Sequence, residues 1–109
     1  MITINIVRDK SGFIWQYIVE GHAGFAQAGK DIVCSAVSTV AYTGINALDE
    51  LVGIKSYGIE DGYMICSVPT DLSPELKEKV SIILETIVVG FKQLQLTYED
   101  YVLVIDEEV

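Results

Sequence analysis

The sequence predicts an α+β domain of element order ββαββαβ, with a mostly antiparallel sheet and two helices packed on one of its faces. Three observations predict it. Residues 2–7 and 13–20 read as strands on either side of a turn. Two long stretches then adopt helical spacing, one from residue 32 and one from Ser73. Short β-rich runs lie between and after them, one pair joined by Asp61-Gly62.

In Met1-Ile2-Thr3-Ile4-Asn5-Ile6 the isoleucines fall on alternate positions, the period of a half-buried strand. Asp9-Lys10-Ser11-Gly12 is turn chemistry. The aromatic and β-branched run over residues 13–20 completes a hairpin. Val33, Val37, Val40, Ala41, Gly44, Leu48, Leu51 and Val52 then recur at helical spacing. Asp31 is the expected N-cap and Gly53 the expected stop, giving a helix over 32–52. Its small residues Ser35, Ala36, Ser38, Ala41 and Gly44 permit close packing. Residues 56–60 and 63–68 form a second hairpin, because glycine in Asp61-Gly62 takes a positive φ without steric cost.

Ser73-Pro74-Glu75 opens the second helix with a cap, a proline at the first turn and an acid near the positive end. Leu76, Val80, Ile83, Ile87, Phe91 and Leu94 form its apolar stripe, widened by Leu84 and Val88. The solid apolar run over 101–105 is expected to lie buried inside the sheet. The acidic tail 106–109 is expected to be a solvated end.

A chain of 109 residues that is half apolar fits one domain with a full hydrophobic core. It holds no long uninterrupted apolar run, and its N-terminus lacks a signal-peptide pattern. The expected location is the cytoplasm, with Cys34 and Cys66 as free thiols. The net charge of −9 and seven scattered Lys and Arg argue against direct nucleic-acid binding. An acidic surface instead steers a cationic partner toward the protein. One histidine and two well-separated cysteines lack zinc-ligand spacing, so no metal is expected. No Cys-x-x-Cys pair, phosphate loop, dinucleotide fingerprint or Gly-x-Ser-x-Gly elbow occurs.

The chemistry concentrates between residues 21 and 34. The only histidine, His22, ends a strand, and Cys34 falls in the first turn of a helix. Unpartnered backbone N–H groups there stabilise a thiolate and can hold an oxyanion. An imidazole close to a thiol can take its proton and return it to a leaving amine. Asp31 is the cap, or a carboxylate that orients His22 or anchors substrate. Ser38 lies one turn after Cys34 and supports the thiol or serves packing. The 23–30 loop, with Gly24, Gly29 and the apolar plug Phe25, is a candidate gate over the pair. Cys66 alternates into a strand and reads as core.

Gly21-His22-Ala23, followed by Gly29, Asp31, Val33-Cys34 and Ser38, resembles the bacterial ribosomal-processing cysteine protease family called Prp. The length and element order agree, so the likeness covers residues 1–109. Ser35 departs from the pattern, where alanine is the more frequent residue. The resemblance implies a peptidase that removes the N-terminal extension of a large-subunit ribosomal protein. It implies Cys34 as nucleophile, His22 as general base, and Gly21, Asp31 and Ser38 as supporting residues. It also implies a homodimer that needs no cofactor and a basic ribosomal-protein precursor as partner, with no membrane. Two other readings of the same residues are a non-enzymatic acidic module bound to the ribosome and a thiol redox sensor.

Overall fold

In a computed structural model, which describes residues 1–27 and 29–108, seven elements follow one another in the expected order. They are β1 (Ile2–Arg8), β2 (Ile14–Glu20), α1 (Ile32–Val52), β3 (Tyr57–Glu60), β4 (Tyr63–Ser67), α2 (Pro74–Thr97) and β5 (Val102–Glu108). The strands form one sheet in the order β3-β4-β2-β1-β5. Every neighbouring pair is antiparallel except β1 and β5, which run parallel. Alternation explains the layering: Ile2, Ile4 and Ile6 point into one core shared with both helices.

The local signals act as expected. Asp9 Oδ1 accepts from Ser11 N, Ser11 Oγ and Phe13 N, which closes the first hairpin. Gly53 ends α1 in the left-handed region, with its N–H on the Asp49 and Leu48 carbonyls. Ser73 Oγ accepts from Leu76 N at the start of α2, with Pro74 in its first turn. Val33, Val37, Ala41, Gly44, Ile45 and Leu48 are the buried face of α1, and Val80, Leu84, Ile87, Val88 and Phe91 that of α2. Leu51, expected on the inner face, is exposed in the last turn of its helix. Both helices are long and apolar enough to cross a membrane by length and composition. Here each turns one face into the shared core.

Small residues set how closely the layers approach. A Cβ at Gly44 would collide with Tyr17 Oη, and one at Gly90 would lie 3.1 Å from Val40 Cγ1. Tyr17 is buried beneath α1, donates to the Ala41 carbonyl at 2.6 Å and packs edge-on against Phe91. One side chain thus ties β2 to both helices, and α1 is the helix that carries Cys34.

Two expectations need correction. Among the described residues, β5 is an edge strand that pairs with β1 alone. Val102 is buried, but Leu103 and Ile105 are 43% and 37% exposed on the face that the helices leave open. A continuous apolar run does not distinguish an edge strand covered on one side from a central one. The acidic tail also does not start at residue 106. Strand β5 continues to Glu108, and Asp106 accepts from Arg8 Nε at 2.7 Å and meets Lys92 at 3.3 Å. Hydrogen bonding from Arg8 holds the Asp106 carboxyl below the usual range. Arg8 also pairs with Glu85 of α2, so this group binds sheet to helix. Val109 lies outside the described residues.

Candidate active site

Antiparallel pairing of β2 with β4 places Glu20 opposite Tyr63. The residues that follow β2 therefore meet the β3–β4 turn. Gly21 N donates to the Gly62 carbonyl at 2.8 Å, extending the ladder by one bond. Gly21 itself has φ +93, and a Cβ there would lie 2.5 Å from the Met1 carbonyl oxygen. Only glycine fits this bend, which carries His22 out of the strand. The Met1 ammonium donates to the His22 carbonyl at 2.8 Å.

Cys34 sits half-buried in the first turn of α1, as expected. Its sulfur accepts from Ala23 N at 3.3 Å, so the residue after His22 touches the thiol directly. Cys34, His22, Gly21 and Ser38 line one cleft of about 230 Å³. No hydrogen bond joins the imidazole to the sulfur among the described residues, and the His22 side chain is 66% exposed. Cys66 is buried in β4, and burial pushes its thiol up to about 11. It stays protonated near neutral pH, as a core residue should.

Asp31 is 6% exposed and caps the helix. Its Oδ1 accepts from Val33 N and Cys34 N, each at 3.0 Å. Its Oδ2 accepts from Phe25 N at 3.0 Å and Ala26 N at 3.3 Å. One carboxylate thus holds the helix start and the preceding loop together. It is not the partner of His22, whose nearest carboxylate is Asp61, 4.0 Å from Nε2. The capping also corrects the idea of free donors beside the thiol. The N–H groups of Val33 and Cys34 go to Asp31, and Ser35 N goes to the Asp31 carbonyl. The donor that reaches sulfur comes from the loop, at Ala23.

Hydrogen bonds from Cys34 N first, then from Ala26, Phe25 and Val33, hold the Asp31 carboxyl below its ordinary value, against the opposing effect of burial. A depressed carboxyl stabilises the fold fully above the unfolded value of 3.8, and that stability is lost as pH falls through the lower folded value. Asp31→Asn keeps one acceptor but turns an amide N–H₂ toward the other pair of donors. It should lower Tm by about 3–8 °C near neutral pH. Melting curves should show that deficit constant down to about pH 5 and shrinking below about pH 4. A deficit that persists unchanged at about pH 3 contradicts this account.

Of the two readings of Ser38 the exposed one holds: it lies at the cleft, and Tyr42 continues the same helical stripe one turn on. One further expectation changes. Phe25 does not plug the cleft; its ring packs edge-on against Tyr101 at 5.2 Å. Ala28 of this loop lies outside the described residues. The opposite cleft wall is Ile59, Glu60, Asp61, Gly62 and Tyr63. Asp61-Gly62 is visible in the sequence as a turn. Its place beside His22 depends on the β2–β4 register, a pairing of residues more than forty positions apart.

A sequence profile of the family described as Cysteine protease Prp matches residues 1–103. A Bacillus subtilis (strain 168) relative named ribosomal processing cysteine protease Prp is 31% identical over 103 residues, covering 92% of each chain. A Staphylococcus aureus relative of the same name is 29% identical over 104 residues, covering 92% of this chain and 93% of that one. The crystal structure of a ribosomal processing protease Prp from S. aureus, with a covalently linked product peptide, superposes with a TM-score of 0.85 at 26% identity. That match covers 98% of this chain and 100% of the other. A Streptococcus mutans protein of solved structure matches with a TM-score of 0.84 at 30% identity, over 100% of this chain and 96% of that one. From its first strand into its last, this chain belongs to the Prp family and is a cysteine protease.

Proposed function

We propose that this protease removes the N-terminal extension of a large-subunit ribosomal-protein precursor, with Cys34 as nucleophile and His22 as general base. The single observation that supports the reading best is the shared cleft: Cys34 and His22 line it together, and the backbone N–H of the residue after His22 reaches the sulfur. The names of the Bacillus and Staphylococcus relatives support the ribosomal substrate. A net charge of −9, with Glu60 and Asp61 at the cleft, favours a cationic chain.

The chemistry follows from those positions. His22 takes the Cys34 proton, and the sulfur attacks the scissile carbonyl carbon to form a C–S bond. The C–N bond breaks as the imidazolium returns the proton to the leaving amine. Water then attacks the thioester carbonyl, with His22 taking its proton; the C–S bond breaks, the imidazolium returns the proton to the sulfur, and the new carboxyl end leaves. Peptide filling the cleft excludes water around this pair, which strengthens the proton transfers between them. The same reading makes the enzyme a cytoplasmic homodimer; light scattering at working concentration tests the dimer, and a monomer mass removes it.

Mass spectrometry of the ribosomal-protein precursor after incubation with wild type and His22→Ala tests substrate and base together. Wild type should release one N-terminal fragment. His22→Ala should slow release by about 10²–10⁴-fold. A precursor left intact by the wild type removes the substrate assignment, and equal cutting by His22→Ala removes the base.

A further inference from the structure

We propose that Gly62 is a positioning residue for this reaction: the space left by its missing side chain is the seat of the His22 imidazole. The proposal rests on His22 being the base. Gly62 has φ +68, and a Cβ built on it would lie 2.9 Å from His22 Nε2, 3.5 Å from Cδ2 and 3.6 Å from Cε1. Three ring atoms thus crowd the one point that any other residue would occupy. The Gly62 carbonyl also takes the N–H of Gly21, so the same residue fixes the backbone before the imidazole and the imidazole itself.

Turn geometry alone does not explain this. Gly12 and Gly53 have φ values of +87 and +71, and a Cβ on either would meet nothing within 4 Å. They need a left-handed backbone, whereas Gly62 needs that and an empty position. The neighbouring charge does not hold the ring in place. Asp61 is fully exposed and its carboxylate is 4.0 Å from Nε2, so water screens the pair. The seat is therefore steric.

The consequence is selective. A methyl group at position 62 must displace something, and the obstacle is the far end of an exposed side chain. The ring swings away while the strands beneath keep their register. Misplacing a catalytic group by about 1 Å costs on the order of 10²-fold in rate.

Gly62→Ala, Gly12→Ala and wild type are compared on a precursor peptide. Gly12→Ala carries the same left-handed penalty in open space, so it controls for backbone strain. Gly62→Asn adds a Cβ while tolerating positive φ better, which covers the case in which the alanine variant fails to fold. Gly62→Ala and Gly62→Asn should lose about 10- to 100-fold in kcat with KM changed less than about 3-fold. His22 is the only histidine, so its imidazole C–H resonances are read without assignment by elimination. They should shift in both Gly62 variants and stay in place in Gly12→Ala. A folded Gly62 variant with kcat within about 2-fold of wild type overturns the proposal, as do unmoved His22 resonances. Wild-type kcat in His22→Ala would instead overturn the base assignment, and the resonances would still report whether the seat exists.

Discussion

Cys34→Ala should fold as the wild type does and lose at least about 10³-fold in peptide cleavage. The two halves of that expectation have separate causes. The sulfur is half-buried at the cleft edge, and among the described residues its one hydrogen-bond partner is the Ala23 N–H, which cleft water can satisfy after truncation. Helix α1 keeps its cap, because Asp31 accepts from the backbone of residue 34 and not from its side chain. The change in stability should therefore stay within about 1 kcal/mol. Among the described residues, catalysis has no substitute nucleophile nearby. Cys66 is buried, protonated near neutral pH, and not among the residues of the cleft. Ser38 does line the cleft, but no hydrogen bond joins its hydroxyl to a base among the described residues. Circular dichroism checks the fold and a quenched-peptide assay checks the rate. Cleavage by the alanine variant within ten-fold of wild type removes Cys34 from the mechanism.

Phe91→Ala should cost about 3–5 kcal/mol, a large share of the stability of a domain this size. Phe91 is fully buried on α2 and meets Tyr17 with ring centroids 5.5 Å apart at 64°. Truncation leaves a cavity between the sheet and both helices, and Tyr17 loses the edge-on neighbour that fixes its ring. Tyr17→Phe should be far milder, because the Ala41 carbonyl it serves already has a partner within the helix. Urea unfolding of the two variants measures the difference. The midpoint of Phe91→Ala should fall with little change of slope. A loss below about 1 kcal/mol would mean that the layers close over the gap.

How much of this could be read from residues alone depends on how local each cause is. The helices were legible because capping and spacing act within a few residues, as at Asp31, Ser73 and Gly53. That His22 and Cys34 line one cleft was legible for a similar reason, since a short loop joins the strand end to the helix start. The cleft's other wall was not, because Gly62 reaches His22 through the register of β2 with β4. The same limit hid the position of β5, whose apolar run is compatible with an edge or a centre. Asp31 shows a subtler limit. Its identity as a cap was readable, and a cap at 31 takes the N–H groups of the second and third helical residues, Val33 and Cys34; the hold of its other oxygen on Phe25 N and Ala26 N was not readable, because it depends on the path of the loop.

The parallel pairing of β1 with β5 bears on how this molecule assembles. Ile2 lies opposite Val102, so the ladder joins residues 100 positions apart. Every other strand pair can zip up as soon as its nearer partner exists. This one must wait for nearly the whole polymer, and closing so wide a loop costs entropy before any contact repays it. Until then β1 carries a bare edge, and the Arg8 guanidinium lacks Asp106. Refolding should therefore show a late phase in which the β5 amides gain protection from hydrogen exchange after those of β2 and β4. In that interval the exposed side of β1 is where two nascent copies would stick together.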